Sequence, residues 1–394
     1  MLKHLLATTD NCQDRELQTP EWHGSNDFYS HAAILKEYAG LPAEMPIKAA
    51  IEHSLFCSGF AWQVDYNAQL PCMLTMGTYR FETLRRHTDK LLFSVGPIGQ
   101  YAPLSATEED IAATREKLGK TLLVITPKSS HRVDIAMDVA HIMSKVEPVA
   151  GYFDSILFCM GWKDVLLGRA EHFAPYGIPV SAGHMYDRPF LSNLRTIFAL
   201  SDASMSFMRG THIPYSILFD TPHYMLYHKW KTIAPEEIRK ADLLPPSAAV
   251  DKITQEHTAL FGQFSFDITP IQRKYLKRIA GVGEQRSPEE VKNILLLIEE
   301  AYSIWQQTEG ISGRNIGLYM LEQYVAQGKS ELATLLMDTL KASDWDTPAV
   351  VHKLGQTAVQ LEDSLLAAQA ARRLMELDPS LRPQAMALLQ NAAS

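Results

Sequence analysis

Ser201–Leu226, SDASMSFMRGTHIPYSILFDTPHYML, reads as strand, polar loop, short helix, tight turn and strand. Ala203–Ser206 is the first strand, and Arg209-Gly210-Thr211-His212 is the loop. Ile213–Phe219 is the short helix, and Asp220-Thr221-Pro222 leads into the strand His223–Leu226. Such a loop aims backbone N–H groups, a helix N-terminus, an arginine and a histidine at one spot. That is the make-up of an anion site suited to phosphate or diphosphate.

Upstream, the same alternation recurs. Thr121–Thr126 (TLLVIT) is a continuous apolar run, as expected of a parallel strand buried on both faces. The loop Pro127–Arg132, a helix Asp134–Lys145 and a strand Ser155–Met160 follow. A helix near Asp164–Tyr176, a strand Pro179–Ala182 and a helix Arg188–Leu200 lead back to the quoted stretch. This spacing predicts a doubly wound sheet with ligands at the carboxyl ends of its strands. Before it, Ile47–Glu52, Cys72–Met76 and Leu91–Val95 are short apolar runs, with a helix expected over Thr78–His87. They predict an earlier open α/β sheet.

Residues from Thr232 to about Gly283 carry Pro235, Pro245, Pro246 and Pro270. They read as a linker, a wrapping segment or helices returning to the first domain. From Ser287-Pro288-Glu289-Glu290 onward the chain turns helical: a serine cap, proline in the first turn, then acids near the positive end. Helices are expected at about 288–306, 312–327, 329–342, 347–360, 363–376 and 382–392. The expected domains are 1–105 and 106–232, both α/β; 233–286, linking or wrapping; and 287–394, helical. Within the last, Val350–Ser380 resembles one tetratricopeptide repeat through Leu354-Gly355, Ala358, Ala367, Ala371, Leu377 and Asp378-Pro379. It is either a helical-hairpin cap or a surface for a protein partner.

The 394 residues are 46% hydrophobic and 21% charged, which gives a core-forming chain long enough for two or three domains. A net charge of −8 without a basic run argues against nucleic-acid binding. Cys12, Cys57, Cys72 and Cys159 are far apart without CxxC spacing, against a disulfide framework or a zinc site. The N-terminus is too short and polar for a secretory signal, and no long apolar run occurs. The expectation is a cytoplasmic protein, or one resting loosely on the inner face of a membrane.

Four clusters could carry chemistry. Arg209, Gly210, Thr211 and His212 would grip an anion through a planar donor fork, close backbone approach, a helix cap and a switchable histidine. Lys128, Ser129, Ser130, His131 and Arg132 follow a buried strand and suit a phosphate. His184, Tyr186 and Asp187 follow the strand Pro179–Ala182 and would read a nucleoside; alternatively Asp187 caps the next helix. Lys163 could serve the ligand, with Trp162 beside it either packing or binding. In the first domain, Glu52-His53-Ser54 places a histidine toward the interdomain cleft as a general base; otherwise it is a satisfied core histidine. His23, Asp27 and His31 also cluster, but spacing places no third metal ligand, so no metal is expected. There is no P-loop, no GxGxxG and no GxSxG elbow.

With these residues in place, the chain resembles bacterial GT-B-type glycosyltransferases of surface-polysaccharide biosynthesis. The pieces that carry the resemblance are Asn26-Asp27-Phe28-Tyr29, Ile51-Glu52-His53-Ser54, Thr126–His131, Ala182–Asp187, Arg209–His212 and Asp220–Tyr224. The resemblance implies two Rossmann-like domains, 1–105 presenting the acceptor and 106–232 binding the nucleotide-sugar, followed by an α-helical region. It implies a sugar moved from a nucleotide-diphosphate donor to a glycan or lipid-linked acceptor, without metal or cofactor, with His53 and Glu52 catalytic. Serine follows His53 where the family carries glycine, and no paired-glutamate motif is present, which leaves the base and the stereochemical outcome open. A transferase of polyol phosphates using a cytidine-nucleotide donor, and a non-catalytic nucleotide-sugar binder or scaffold, are the alternatives.

Overall fold

The computed structural model describes residues 1–16, 21–53, 60–130, 133–233, 247–308 and 310–392. Ser54, His131, Arg132, Pro235, Pro245 and Pro246 lie outside the described residues.

Three short apolar runs, β1 (Ala49–Ile51), β2 (Cys72–Thr75) and β3 (Leu91–Ser94), pair in parallel in that order. Every residue in them except Ser94 is buried, as expected of parallel strands covered on both faces. The second lobe contains β4 (Thr121–Ile125), β5 (Asp134–Ala136), β6 (Ser155–Cys159), β7 (Ile178–Val180), β8 (Ala203–Ser206), β9 (His223–Met225) and β10 (Lys231–Ile233). Five of these form a parallel sheet in the order β7-β6-β4-β8-β9. The chain starts at the centre with β4, winds outward to β6 and β7, then crosses back to β8 and β9. The winding therefore reverses between β4 and β8, and the crevice beyond their carboxyl ends is where such sheets hold ligands.

Two local readings are corrected. Asp134–Ala136 is not the start of a helix but a strand, antiparallel to β10. The helix begins at Val139, because the Asp138 carboxylate accepts the His141 amide at 3.0 Å and caps it. The expected helix Asp164–Tyr176 is broken into Trp162–Leu166 and Ala170–Phe173, with Gly168 at φ +74° between them. The N-terminal residues join the second sheet: Ala7 donates to the Pro179 carbonyl at 3.1 Å and Ser181 to that of Leu5 at 2.9 Å.

Beyond the second sheet, the helix Ser247–Phe261 packs on β9, and the helix Pro270–Ala280 crosses back to the first lobe. There Gly281, at φ +65°, lies so close that a Cβ would sit 2.1 Å from the Met76 carbonyl oxygen. The tail helices run Pro288–Gln307, Gly313–Ala326, Ser330–Asp344, Pro348–Gln360, Ser364–Leu377 and Arg382–Ala392. Ser287 and Glu290 form the expected reciprocal cap. The tail is an outer layer of the first sheet. A Cβ at Gly313 would lie 2.1 Å from the Pro71 carbonyl oxygen. Buried Asp344 pairs with Arg85 at 3.1 Å and with Arg314 at 2.6 Å. Gly355, Ala358, Ala367, Ala370 and Ala371 let the helices Pro348–Gln360 and Ser364–Leu377 pack tightly.

One buried apolar cluster extends from Leu5 through both sheets to Ala367. Cys12, Cys72 and Cys159 are free and buried. No helix among the described residues is long and apolar enough to cross a membrane. The chain is two Rossmann-like α/β lobes followed by a mainly helical C-terminal stretch, consistent with a GT-B-like fold.

Candidate functional site

A cleft of about 510 Å³ opens at the β4–β8 switch point and faces the first lobe. The loop after β4 brings Lys128, Ser129 and Ser130 to it, and the loop after β8 brings Thr211 and His212. From the first lobe come His23, Ser25, His31, His53, Trp62 and Asp65. Two of the sequence clusters and the first-domain histidine therefore meet at one cavity.

Within it, the groups differ in what they can do. Lys128 has no hydrogen-bond or ion-pair partner among the described residues, so its ammonium is available to an anion. Ser129 is already engaged. Its amide donates to Asp164 at 2.9 Å, its hydroxyl donates to Asp134 at 2.8 Å, and Arg169 donates to that hydroxyl at 2.9 Å. Ser130 donates its amide to the Val133 carbonyl at 2.7 Å. Lys163 does not line the cleft; its ammonium donates to the Ser130 carbonyl at 2.8 Å. It therefore holds the loop, while its neighbour Trp162 lines the cleft.

The loop after β8 differs from its sequence reading. The helix His212–Leu218 has seven residues, about two turns, and Thr211 makes no side-chain cap. The Ile213 amide is already bonded to the Gly210 carbonyl at 3.2 Å. A helix this short contributes little dipole. His212 is not a switchable donor. It is buried, and its Nε2–H donates to the Met208 carbonyl at 3.1 Å, which leaves Nδ1 as a buried acceptor without a partner. Burial first, then the nearby His223 and the Lys128 charge, pushes its pKa well below the ordinary imidazole value. Gly210 gives the ring room: a Cβ there would be 2.7 Å from Nδ1. Arg209 and Gly210 do not line the cleft; the Arg209 charge bears on buried His257 instead.

His184, Tyr186 and Asp187 build a turn. The Asp187 carboxylate accepts the His184 amide at 2.7 Å and pairs with Arg15 at 3.0 Å. The His184 Nε2 lies 3.3 Å from Asp14, and its ring meets Trp162 edge-on at 4.3 Å. Tyr186 stacks on Phe28 at 5.6 Å and faces a neighbouring charged groove of about 930 Å³. Of this segment, Gly183 and Met185 reach the cleft instead.

On the first-lobe wall, His53 lines the cleft, edge-on to Phe28 at 4.4 Å. Glu52 does not. It is fully buried, accepts from Thr75 at 2.7 Å and from the Arg80 Nε at 2.7 Å, and is a structural ion pair, not an acid–base group. The carboxylate that does line the cleft is Asp65, on the one-turn helix Gln63–Tyr66. Its Oδ2 accepts the His53 amide at 3.2 Å, and its buried Oδ1 has no hydrogen-bond partner. Burial raises its pKa to about 7, against the smaller lowering effect of the His53 amide. Sequence reasoning missed it, because a lone aspartate in Trp62-Gln63-Val64-Asp65 carries no spacing signal. His31 also borders the cleft, kept neutral by burial and by His53, which lower its pKa to about 3, and its Nδ1 has no hydrogen-bond partner.

Among the described residues, no group of three or more histidine, cysteine or acidic side chains could hold a metal ion. Compared with protein-family models, curated proteins and solved structures, the chain matches none.

Proposed function

We propose that the protein is a glycosyltransferase that moves a sugar from a nucleoside-diphosphate donor to a hydroxyl on a glycan or lipid-linked acceptor, as in bacterial surface-polysaccharide biosynthesis. The observation that carries this reading is the cleft at the β4–β8 switch point, with the Lys128 ammonium at the carboxyl end of β4 and a second α/β lobe facing it. An open α/β sheet binds nucleotides at that crevice, and a lysine there acts as a point charge for phosphate. Placed on the leaving diphosphate, Lys128 would stabilise charge that grows in the transition state, where a fixed charge counts most. Neutral His212 and the loop held by Lys163 would shape the pocket around it. His53, at the opposite wall, would face the acceptor.

The test is thermal denaturation against UDP, GDP, CDP, CMP and TDP. One diphosphate is expected to stabilise the protein, by about 2.7 kcal/mol at 100 times its dissociation constant. Lys128→Ala should weaken that binding by roughly 1.5–3 kcal/mol, the worth of a charge-assisted hydrogen bond. If no nucleotide shifts the wild-type melt, the reading falls. A response to cytidine nucleotides alone would favour a polyol-phosphate donor.

A further inference from the structure

The cleft has two unlike walls. The phosphate-facing side carries Lys128, Ser129, Ser130 and Thr211. The facing side is built from Phe28, Tyr29, Trp62 and Val64, and Phe190 and Leu194 close it. The rings are fixed by one another: Phe28 meets His53 at 4.4 Å and Tyr29 meets Phe190 at 4.8 Å. Such a wall buries apolar ligand surface, and of the polar groups set among it His23 and Ser25 are already bonded within the protein, which favours an acceptor with an apolar body over a bare sugar ring.

Into that wall the fold sets Asp65, which lines the cavity, is 1% exposed and has a buried Oδ1 without a hydrogen-bond partner. Native interiors leave few buried polar atoms unpaired, and such an atom calls for an explanation. His31 Nδ1, also buried and unpartnered, borders the same cavity. The charged and titratable groups around Asp65 offset its burial only in part. Arg80 is paired with Glu52, the His53 amide takes Oδ2, and the His23 Nε2 is bonded to the Val64 carbonyl at 3.2 Å. Ser25, close by, donates its hydroxyl to the Ile51 carbonyl at 2.7 Å.

Resting on the transferase reading above, we propose that this wall is the acceptor subsite. It takes a hydroxyl carried on an aromatic or aliphatic body, and Asp65 is the catalytic residue that receives the hydroxyl proton. As the acceptor oxygen bonds to the anomeric carbon, its O–H bond breaks and the proton passes to Asp65 Oδ1. The bond from the anomeric carbon to the donor phosphate oxygen breaks in the same step, and its electron pair leaves on the nucleoside diphosphate beside Lys128. Asp65 then releases the proton to water. Its raised pKa, about 7, suits a base working near neutrality.

The experiment uses the full chain, a pool of UDP-, GDP-, CDP- and TDP-hexoses, and two acceptors, 4-nitrophenyl β-glucoside and free glucose. The aryl glycoside is expected to be used at least 10-fold better in kcat/KM. Asp65→Asn should lower kcat by about 100-fold or more, keep the nucleotide-induced thermal shift, and abolish the rise of kcat with pH near 7. Wild-type kcat in Asp65→Asn overturns the role of Asp65. Equal use of glucose, or nucleotide binding with no transfer to the aryl glycoside, overturns the acceptor class while leaving the donor site standing. Loss of nucleotide binding in the wild type overturns the transferase reading, and this proposal with it.

Discussion

Glu52 and Asp65 are neighbouring buried carboxylates with opposite fates. Glu52 is held by Arg80 and Thr75, so its charge is matched. Asp65 has the His53 amide, smaller help from Arg80 and Ser25, and the opposing charge of Glu52, so burial outweighs what stabilises its charge. The sign of the consequence for stability follows. Unfolded, the carboxyl ionises near 3.8; folded, at about 7. Between those values the folded chain keeps a proton that the unfolded chain has released, so this group's contribution is full below 3.8 and is lost as pH rises toward 7. Asp65→Asn cannot ionise and escapes that loss. The stability gap in favour of the variant should therefore widen by roughly 3 kcal/mol between pH 5 and pH 8 in urea titrations. A gap that does not change with pH would show Asp65 to be unperturbed. Lys128 was legible because a cation directly after a continuous apolar strand must lie at the sheet's carboxyl edge. Asp65 was not, because the residues around it, Ser25, Glu52, His53 and Arg80, come together only when the first lobe folds. The Glu52–Arg80 pair was not visible either: Arg80 lies 28 residues on, in the helix Thr78–Leu84, and nothing in the local pattern announces it.

At the scale of elements, two glycines in the same backbone conformation separate strain from packing. Gly40 and Gly281 both sit at φ +65°, but a Cβ at Gly40 meets nothing within 4 Å, whereas at Gly281 it would lie 2.1 Å from the Met76 carbonyl oxygen. Alanine at Gly40 should cost about 1–2 kcal/mol for the left-handed backbone alone. Alanine at Gly281 should cost a further 1–3 kcal/mol, because the helix Pro270–Ala280 must move off the first lobe. Equal losses in chemical denaturation would mean that this contact is loose. The parallel strands were readable, since burial on both faces leaves an unbroken apolar run. The tail helices were readable from caps and period. The strand Asp134–Ala136 was not, because it exists only through pairing with Lys231–Ile233, far along the chain. The short helix after β8 was visible, but its weakness as an anion site was not, since only the fold shows which amides are already bonded.

For the whole molecule, the tail is part of the architecture. A small three-stranded sheet buries little by itself, and its outer face needs a helical cover. The helices Gly313–Ala326 and Ser330–Asp344 supply it, docked through Gly313 on Pro71 and through Asp344 between Arg85 and Arg314. The same apolar cluster then continues from that layer into both sheets. A chain ending before Pro288 would expose Leu91 and the flank of β3 and leave the partly buried Arg85 without its carboxylate. Such a truncation is expected to abolish the cooperative melt and to bind a hydrophobic dye, because exposed apolar surface and an unpaired, partly buried charge both oppose folding. The opposite result, a soluble truncated chain that melts cooperatively and still responds to a nucleoside diphosphate, would make the tail an appendage. The cleft depends on the outcome: His53 and Asp65 are positioned by the first lobe, so if that lobe requires the tail, the acceptor wall requires it too.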